Sequence, residues 1–293
     1  MKDDEQIVYL NGEFKDISEA CVSVLDRGFL FGDGVYEVIP AYGGNLLRLE
    51  SHLQRLQNSL DGIRLVNPLN SQQWEVMLHE LVLKNRGEDQ SIYLQVTRGV
   101  DVKRDHNFPD KVTPTVFAMS NVLKTIPRAV SEQGIEAVTL DDIRWRACNI
   151  KTTALLANTL LRQQATDKNA GEAILLRDGY ATEASSSNVF IVSDGLIVTP
   201  PTGPLLLPGI TRDLVLEQAR THDMPCQERE IREDELRHAD EIWITSSTRE
   251  VLPVLMLDGC PVGNGHAGPV WHQMIEIYQQ YKQQLREGVS NHG

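Results

Sequence analysis

The chain has 293 residues, long enough to bury a sizeable core as one large domain or two medium ones. Hydrophobic residues make up 41% of the sequence and charged residues 24%, as in an ordinary soluble globular protein. The 28 basic and 41 acidic residues give a formal net charge of −13. This charge argues against a general nucleic-acid-binding or anionic-membrane-binding protein, but a local basic pocket for a small anion is compatible with it.

The four cysteines, Cys21, Cys148, Cys226 and Cys260, lie far apart and form no C-x-x-C pair. This spacing favours neither a metal site nor a disulfide framework, so we expect reduced thiols in a cytoplasmic protein. Residues 1–6 carry three acids and no apolar run, which predicts no secretory signal. No stretch of about 18 apolar residues occurs, so no transmembrane helix is expected.

The N-terminal part is predicted to consist of short strands and two amphipathic helices. Residues 7–10 precede Asn11 and Gly12, a pair typical of a hairpin turn. A strand over residues 35–39 is expected, ended by Pro40 and by Gly43 and Gly44. The periodicity of apolar residues predicts helices from about Leu49 and around Trp74, and buried strands over 91–97 and 115–119.

Pro, Gly and polar residues over 121–134 predict an interdomain linker. It would separate an N-terminal α/β domain, 1–120, from a C-terminal domain, 135–293, that carries Lys151. A mixture of strands and helices without strict βαβ repetition predicts a mixed α/β (α+β) fold class. In the second domain we predict strands over 136–140, 173–176, 188–192, 196–199, 241–245 and 251–257, and helices over 152–167, 211–221, 232–238 and 269–286.

Lys151 is a candidate nucleophile because apolar residues lie near it in the sequence both before and after it. Removal of water would lower the pKa of its amine. A neutral amine can form a Schiff base with an aldehyde. An exposed lysine at the start of a helix is the alternative interpretation.

The segment PGITRD, residues 208–213, places a chain break before a helix for which Thr211 is a suitable N-cap. Amides at a helix N-terminus bind phosphate well, although an ordinary capped loop is an equal alternative. Hydroxyl clusters over 185–187 and 245–248 lie at the ends of predicted strands, and Glu183 precedes the first cluster. Together with the helix start, they indicate one anion-binding site.

Arg104 and His106 lie two residues apart in an extended segment, so their side chains are expected on the same side. Together they could bind a carboxylate, which arginine grips with two parallel hydrogen bonds. A solvated charged loop is the alternative, because Asp101, Lys103 and Asp105 are neighbours.

Five motifs in this order resemble those of the fold-type IV pyridoxal-phosphate enzymes, the class IV aminotransferases. The motifs are DRGFLFGDGVYE (26–37), HLQRL (52–56), NIK (149–151), TEASSSNVF (182–190) and GITR (209–212). The resemblance runs from about Tyr9 to Leu257. It implies a two-domain fold-type IV architecture, aminotransferase activity and pyridoxal 5′-phosphate as the cofactor.

The resemblance also implies roles for individual residues. Lys151 would be the catalytic Schiff-base lysine, and Glu183 would hold the pyridine nitrogen of the cofactor protonated, with Arg144 as a nearby cation. The other predicted cofactor-binding residues, which include those for the phosphate, are Arg55, Ser185, Ser186, Gly209, Ile210, Thr211, Ser246 and Ser247.

Tyr36, Arg104 and His106 resemble the trap for the substrate α-carboxylate in D-amino acid aminotransferases. This likeness implies that a D-amino acid and a 2-oxo acid, 2-oxoglutarate or pyruvate, react by a ping-pong mechanism. In the family, the arginine and histidine come from the partner subunit, so a homodimer with shared active sites is expected.

The sequence departs from the family pattern at three places. The stretch from Gly99 to Arg104 is one residue longer, Ala184 stands where glycine is common, and Arg249 stands where a small hydroxyl residue is usual. The first departure bears on where the side chain of Arg104 points, and the third bears on the residues at the edge of the predicted site.

Four other activities fit parts of this pattern. An L-branched-chain aminotransferase would lack the Arg104 and His106 trap, and a 4-amino-4-deoxychorismate lyase would eliminate pyruvate without a second oxo acid. An R-selective amine transaminase would accept substrates without a carboxylate. A non-enzymatic cofactor-binding protein is disfavoured by the presence of both Lys151 and Glu183. We therefore predict transamination of D-amino acids.

Overall fold

The structure is a computed structural model that describes residues 6–111, 113–124 and 126–288. These residues form two compact units. Of the sequence predictions, part of the acidic N-terminal segment, residues 1–5, and Thr125 of the linker lie outside the described residues. The first unit comprises 6–111, 113–124, 150–155 and 284–288, and the second comprises 126–149 and 156–283.

The first unit is built on an antiparallel sheet flanked by helices. Its elements are β1 (Ile7–Leu10), β2 (Glu13–Asp16), α1 (Arg27–Phe31), β3 (Gly34–Tyr42), β4 (Asn45–Leu46), α2 (Leu49–Gly62), α3 (Ser71–Lys84), β5 (Asp89–Thr97) and β6 (Thr115–Val122). The strand order is β2-β1-β6-β5-β3-β4. The predicted hairpin is confirmed, because Asn11 and Gly12 both have positive φ angles and connect β1 to β2.

Strand β3 runs past Pro40, the first of the residues expected to end it, and continues to Tyr42. The chain then turns at Gly43 and Gly44, as expected. The carbonyl of Pro40 accepts a hydrogen bond from Leu47 N, so its imino nitrogen also faces the edge beyond β4. Proline is tolerated there because no ladder hydrogen bond to β5 is lost.

The core of the first unit lies between this sheet and the helices α2 and α3, both of which confirm predicted helices. Leu56 and Leu60 are fully buried on the inner face of α2. The same face also buries three polar side chains, His52, Arg55 and Ser59. Polar groups on a buried helix face need hydrogen-bond partners, and these three find theirs at the candidate site.

The second unit is a larger mixed sheet with helices. Its elements are α4 (Arg128–Ser131), β7 (Ile135–Asp141), α5 (Leu156–Asp167), β8 (Glu172–Arg177), β9 (Tyr180–Ala184), β10 (Asn188–Ser193), β11 (Leu196–Thr199), α6 (Ile210–Thr221), β12 (Cys226–Glu228), β13 (Ile231–Arg232), α7 (Glu233–Arg237), β14 (Glu241–Ser246), β15 (Glu250–Leu257), β16 (Cys260–Pro261) and α8 (Pro269–Arg286). The main strand order is β12-β11-β10-β14-β15-β7-β8-β9-β13, and β16 pairs with β15.

Most predicted strands of this unit are confirmed, including the β10–β11 hairpin through Asp194 and Gly195. Strand β9 is not among the strands expected from the sequence. Its residues Tyr180–Ala184 pair with β8, and the burial of four of its five residues overrides their weak strand propensity. Its last residues carry Glu183 into the interior.

The segment that contains Lys151 differs in two ways from the prediction. Helix α5 begins at Leu156 instead of Thr152. The residues before it lie along β3, with hydrogen bonds from Tyr36 N to Lys151 O (2.9 Å) and from Thr153 N to Gly34 O (3.0 Å). Lys151 therefore groups with the first unit, although the sequence suggested the C-terminal domain. Among the described residues, no helix has the length and apolar character needed to cross a bilayer.

Candidate active site

Lys151 and Tyr36 are neighbours in the first unit. The carbonyl oxygen of Lys151 accepts a hydrogen bond from Tyr36 N. Its backbone N–H donates to Ser59 Oγ at 3.2 Å, which connects this segment to α2. Its Nζ lies 4.1 Å from the centroid of the Tyr36 ring. The ring of Tyr36 is in turn stacked on Tyr93, with centroids 5.6 Å apart. The backbone of the candidate nucleophile is thus fixed, while its amine rests on an aromatic face.

Arg55 is held by a carboxylate that the sequence analysis missed. Its Nε donates to Glu37 Oε1 at 2.8 Å and its Nη2 donates to Glu37 Oε2 at 2.7 Å. His52 Nδ1 lies 2.8 Å from Glu37 Oε2, and because the partner is a carboxylate, Nδ1 carries the proton. All three side chains are buried.

The charges in this cluster follow from burial and pairing. Burial acts to raise the pKa of Glu37, but the Arg55 guanidinium and the His52 imidazole outweigh it and hold that pKa well below its ordinary value. Burial lowers the pKa of His52, so its ring stays neutral. The buried His52 Nε2 has no hydrogen-bond partner among the residues that the structure describes.

Arg104 and His106, the predicted carboxylate trap, lie in an exposed loop of the first unit. Both side chains contact the ring of Phe31 in α1. The Arg104 guanidinium carbon is 5.1 Å from its centroid, and the centroid of the His106 ring is 5.4 Å from it. The two side chains therefore lie against the same aromatic ring, and their binding of a carboxylate stays a prediction.

Glu183 and Arg144 form a buried ion pair in the second unit. Arg144 Nη1 donates to Glu183 Oε1, and its other nitrogens hold both oxygens of Asp142 at 2.9 Å. The amide of Leu207 (3.1 Å) and the side-chain amide of Asn188 (3.4 Å) donate to Glu183 Oε2. This set of donors stabilises the ionised form of the carboxylate.

Electrostatics keep Arg144 and Asp142 charged. Burial disfavours the Arg144 cation, yet the Asp142 and Glu183 carboxylates outweigh that effect and raise its pKa above the ordinary value. Burial likewise opposes ionisation of Asp142, but Arg144 and Arg177 lower its pKa. Arg144 was predicted to lie near the cofactor. In the structure, Arg144 forms an ion pair with Glu183 and so orients its carboxylate.

Ser185 and Ser186 share a partner, Glu172, that the sequence analysis did not single out. Ser185 Oγ donates to Glu172 Oε1, and Ser186 Oγ donates to Glu172 Oε2 at 3.1 Å. Arg249 Nη1 donates to the same Oε2 at 3.1 Å. Glu172 is fully buried, so the arginine that departs from the family pattern balances its charge. Cofactor binding by the two serines stays a prediction.

The start of α6 differs from the prediction at Thr211. The N-cap is Gly209, in an extended conformation, and Thr211 lies inside the first turn, because the helix already begins at Ile210. A Cβ on residue 209 would lie 1.9 Å from Asn188 Oδ1, so any other residue would force Asn188 or the start of the helix to move. The amides of Ile210 and Thr211 belong to the first turn, where helices offer donors to anions.

Ser246 is the last residue of β14, against which α6 packs, and Ser247 follows it. Ser246 Oγ accepts a hydrogen bond from Arg249 N at 3.3 Å. Thr245, one residue earlier, is buried, and its Oγ1 has no hydrogen-bond partner among the described residues. Hydroxyl groups and helix amides on two neighbouring elements are the donors that a small anion requires.

Comparison with known proteins decides the family. The model of the family "Amino-transferase class IV" matches residues 34–257. The chain belongs to the class IV aminotransferases. The resemblance inferred from its motifs is thereby confirmed, as is the prediction that it is an aminotransferase.

Two relatives of this class IV aminotransferase share sequence similarity with it over nearly its whole length. The D-alanine aminotransferase of Bacillus licheniformis is 41% identical over 263 residues, covering 90% of this chain and 92% of that protein. The D-alanine aminotransferase of Staphylococcus haemolyticus is 40% identical over 275 residues, covering 94% and 97%.

The solved structures confirm the predicted fold class. The Escherichia coli branched-chain amino acid aminotransferase superposes with a TM-score of 0.89 at 26% identity. The match covers 94% of this chain and 94% of that one. The mixed α/β, fold-type IV architecture is therefore shared despite low sequence identity.

Proposed function

We propose that this class IV aminotransferase uses pyridoxal 5′-phosphate to move amino groups between D-amino acids and a 2-oxo acid, 2-oxoglutarate or pyruvate. The observation that carries the proposal is the 40–41% identity to D-alanine aminotransferases over at least 90% of the chain. The alternation of amino donor and oxo-acid acceptor on one site gives ping-pong kinetics.

Pyridoxal 5′-phosphate fits the donors that the two units carry. Its phosphate suits the first-turn amides of Ile210 and Thr211 and the hydroxyls of Ser246 and Ser247, with Arg55 as the cation. The buried hydroxyl of Thr245 has no hydrogen-bond partner among the described residues, which supports a polar ligand near Ser246 and Ser247.

Glu183 suits the pyridine nitrogen of the cofactor, because Arg144 and two amide donors keep its carboxylate ionised. Ser185 and Ser186, next along the chain, are proposed to contact the cofactor as well. When bound, the group supplies an electron sink for the bonds at the substrate Cα.

Lys151 is proposed to anchor the cofactor aldehyde and then, as a free amine, to move the proton at the substrate Cα. The backbone hydrogen bonds to Tyr36 and Ser59 fix the Cα of Lys151, so only its flexible side chain has to move. A fixed backbone with a mobile amine suits a lysine that must first bind the cofactor and then transfer a proton.

Tyr36, Arg104 and His106 are proposed to bind the substrate α-carboxylate. The trap combines a hydroxyl, a guanidinium and an imidazole, which suit a planar anion. Holding the carboxylate at one place relative to a fixed lysine decides which Cα face the amine reaches, and therefore the handedness of the substrate.

A homodimer with shared active sites follows from the same proposal. Around the loop of Arg104, large apolar side chains are exposed: Val24 by 69%, Phe29 by 75% and Val102 by 83%. Exposed apolar groups gathered beside a functional loop support a covering partner, here a second copy of this chain that receives Arg104 and His106. A cytoplasmic location is also proposed, since all four cysteines are free thiols.

L-branched-chain transamination is the second candidate, because a branched-chain aminotransferase shares the fold at a TM-score of 0.89. A half-reaction separates the candidates. The protein with its bound cofactor is mixed with D-alanine and, separately, with L-leucine, and its visible absorbance is followed. We expect rapid bleaching by D-alanine alone, whereas bleaching by L-leucine alone would overturn the proposal. Bleaching by neither would favour the alternative 4-amino-4-deoxychorismate lyase.

Variants test the carboxylate trap and the shared site. Arg104→Gln should raise the KM for D-alanine about 10-fold or more, while Lys103→Gln, on the same exposed loop, should leave it unchanged. Mixing inactive Lys151→Ala with Arg104→Gln under subunit exchange should restore part of the activity, because one site of each mixed dimer is then intact. No restoration would contradict the sharing of active sites.

A further inference from the structure

The loop of Arg104 and His106 is fastened to the first unit by a buried arginine, Arg27. Its Nη1 donates to the carbonyl oxygens of Asp105 (2.6 Å) and Asn107 (3.2 Å), and its Nη2 donates to that of His106 (3.5 Å). Arg27 is 3% exposed, whereas the three residues whose carbonyls it binds are exposed. One side chain therefore fixes three successive peptide groups of an otherwise solvated loop.

Arg27 is itself anchored by Asp33. Its Nε donates to Asp33 Oδ2 at 2.8 Å, and Arg98 holds the same carboxylate with hydrogen bonds of 2.8 and 3.0 Å. Burial opposes ionisation, but Arg98 and Arg27 outweigh it and lower the pKa of Asp33. Arg98 also donates to Ile63 O at 2.6 Å, at the end of α2. The chain of contacts thus runs from the helix through two arginines to the loop.

The aromatic ring of Phe31 completes the arrangement. It lies one helical turn after Arg27 in α1, and the Arg27 guanidinium carbon is 4.8 Å from its centroid. The side chains of Arg104 and His106 contact the same ring at 5.1 and 5.4 Å. Arg27 thus holds the backbone of the loop, and the side chains of Arg104 and His106, both exposed residues, lie against Phe31.

We propose that Arg27 is a positioning residue that sets the aim of Arg104 and His106 at the substrate carboxylate. The inference rests on the proposed function, which assigns the carboxylate to this pair. It also accounts for the additional residue between Gly99 and Arg104. The contacts of Arg27 lie after that residue, so the length of the preceding stretch does not decide where the two side chains point.

Arg27→Lys is the decisive variant, because it keeps a cation for Asp33 but lacks the planar fork that reaches several carbonyls at once. In the holoenzyme, we expect faster hydrogen–deuterium exchange in peptides covering residues 100–111 and unchanged exchange in α2 and α3. The KM for D-alanine should rise about 10-fold while kcat changes less than about 3-fold. A role limited to folding would not produce this split between KM and kcat.

Arg286→Met serves as the matched control, since Arg286 is another arginine of the first unit that pairs with a buried acid, Asp89. It should leave both the loop exchange and the KM unchanged. Unchanged loop exchange in folded Arg27→Lys would overturn the inference, and so would faster exchange with an unchanged KM. Failure of the wild-type enzyme to react with D-alanine would instead overturn the proposed function, while the exchange data would still decide whether Arg27 holds the loop.

Discussion

Arg55 and Glu37 form a two-point ion pair inside the first unit, with Nε and Nη2 of the arginine 2.8 and 2.7 Å from the two carboxylate oxygens. The plane of the guanidinium group is therefore set by Glu37. His52 donates to the same carboxylate, so Glu37 is held from two sides. An arginine that is to meet a phosphate gains from this arrangement because its orientation is determined before the ligand binds.

We predict that Glu37→Gln weakens cofactor binding. The amide keeps one acceptor oxygen but loses the charge, and it leaves the Arg55 cation buried without its partner. The Kd for pyridoxal 5′-phosphate, measured by titrating the apoprotein, should rise about 10-fold. Glu13→Gln, which changes an exposed ion pair with Lys15, is the control and should have no effect. An unchanged Kd in Glu37→Gln would show that Arg55 does not need this brace.

The position of Glu37 is one that sequence alone can reveal. Val35, Glu37 and Ile39 alternate along β3 and all face the interior, so the strand pattern places a carboxylate on an apolar face. Such a group requires a buried partner, and the spacing of His52 and Arg55 on one face of α2 supplies two candidates. The periodicity therefore holds enough information to place this carboxylate, although Glu37 was not among the predicted site residues.

Other parts of the candidate site depend on contacts between segments that are far apart in the sequence. The periodicity of apolar residues carries no information about such contacts. The helix expected from Thr152 begins at Leu156, because Thr153 and its neighbours pair with β3 instead. Thr152 and Thr153 are poor helix formers, but only the tertiary contact decides their conformation. The contacts from Arg27 to residues 105–107 likewise join segments about 80 residues apart, and local spacing does not predict such a pairing.

We predict that His52 makes the stability of the protein fall as the pH drops below about 6.5. Burial lowers the pKa of His52 in the folded protein, with further lowering by Arg55 and Lys151 that is opposed by Glu37. The unfolded chain takes up a proton near the ordinary value of 6.5, whereas the folded protein does not. The contribution of His52 is therefore fully present above pH 6.5 and is lost as the pH falls, by about 1.4 kcal/mol per pH unit.

Urea unfolding at several pH values checks this dependence. In His52→Asn, the free energy of unfolding should decline less than in the wild type as the pH falls below 6.5. His266→Asn, at an exposed histidine, should reproduce the wild-type slope. Equal slopes in His52→Asn and the wild type would contradict a neutral buried His52.

We predict that Glu183→Gln lowers kcat about 100-fold while the protein still binds its cofactor. A neutral amide cannot hold a proton on the pyridine nitrogen, and the Arg144 cation beside it would oppose that proton further. Steady-state kinetics with D-alanine, together with the absorbance spectrum of the bound cofactor, measure the effect. Glu276→Gln, at an exposed position on α8, is the control. Retention of the wild-type kcat would assign the pyridine nitrogen to another group.

We predict that Gly209→Ala damages both stability and cofactor binding. The new Cβ would lie 1.9 Å from Asn188 Oδ1, so Asn188 or the start of α6 must move. Asn188 also donates to Leu207 O at 2.8 Å and contacts Glu183, so its displacement would disturb the carboxylate as well as the first-turn amides. Overpacking of this kind costs about 1–3 kcal/mol in the free energy of unfolding.

Gly203→Ala is the matched control, because it lies in the same segment before α6 and a Cβ there would meet no atom within 4 Å. It should leave the free energy of unfolding and the Kd for pyridoxal 5′-phosphate at wild-type values. In Gly209→Ala, a stability loss with an unchanged Kd would mean that the cofactor phosphate does not depend on the start of α6. A larger Kd in Gly209→Ala alone would show that cofactor binding depends on the start of α6 or on Glu183, the carboxylate that Asn188 contacts.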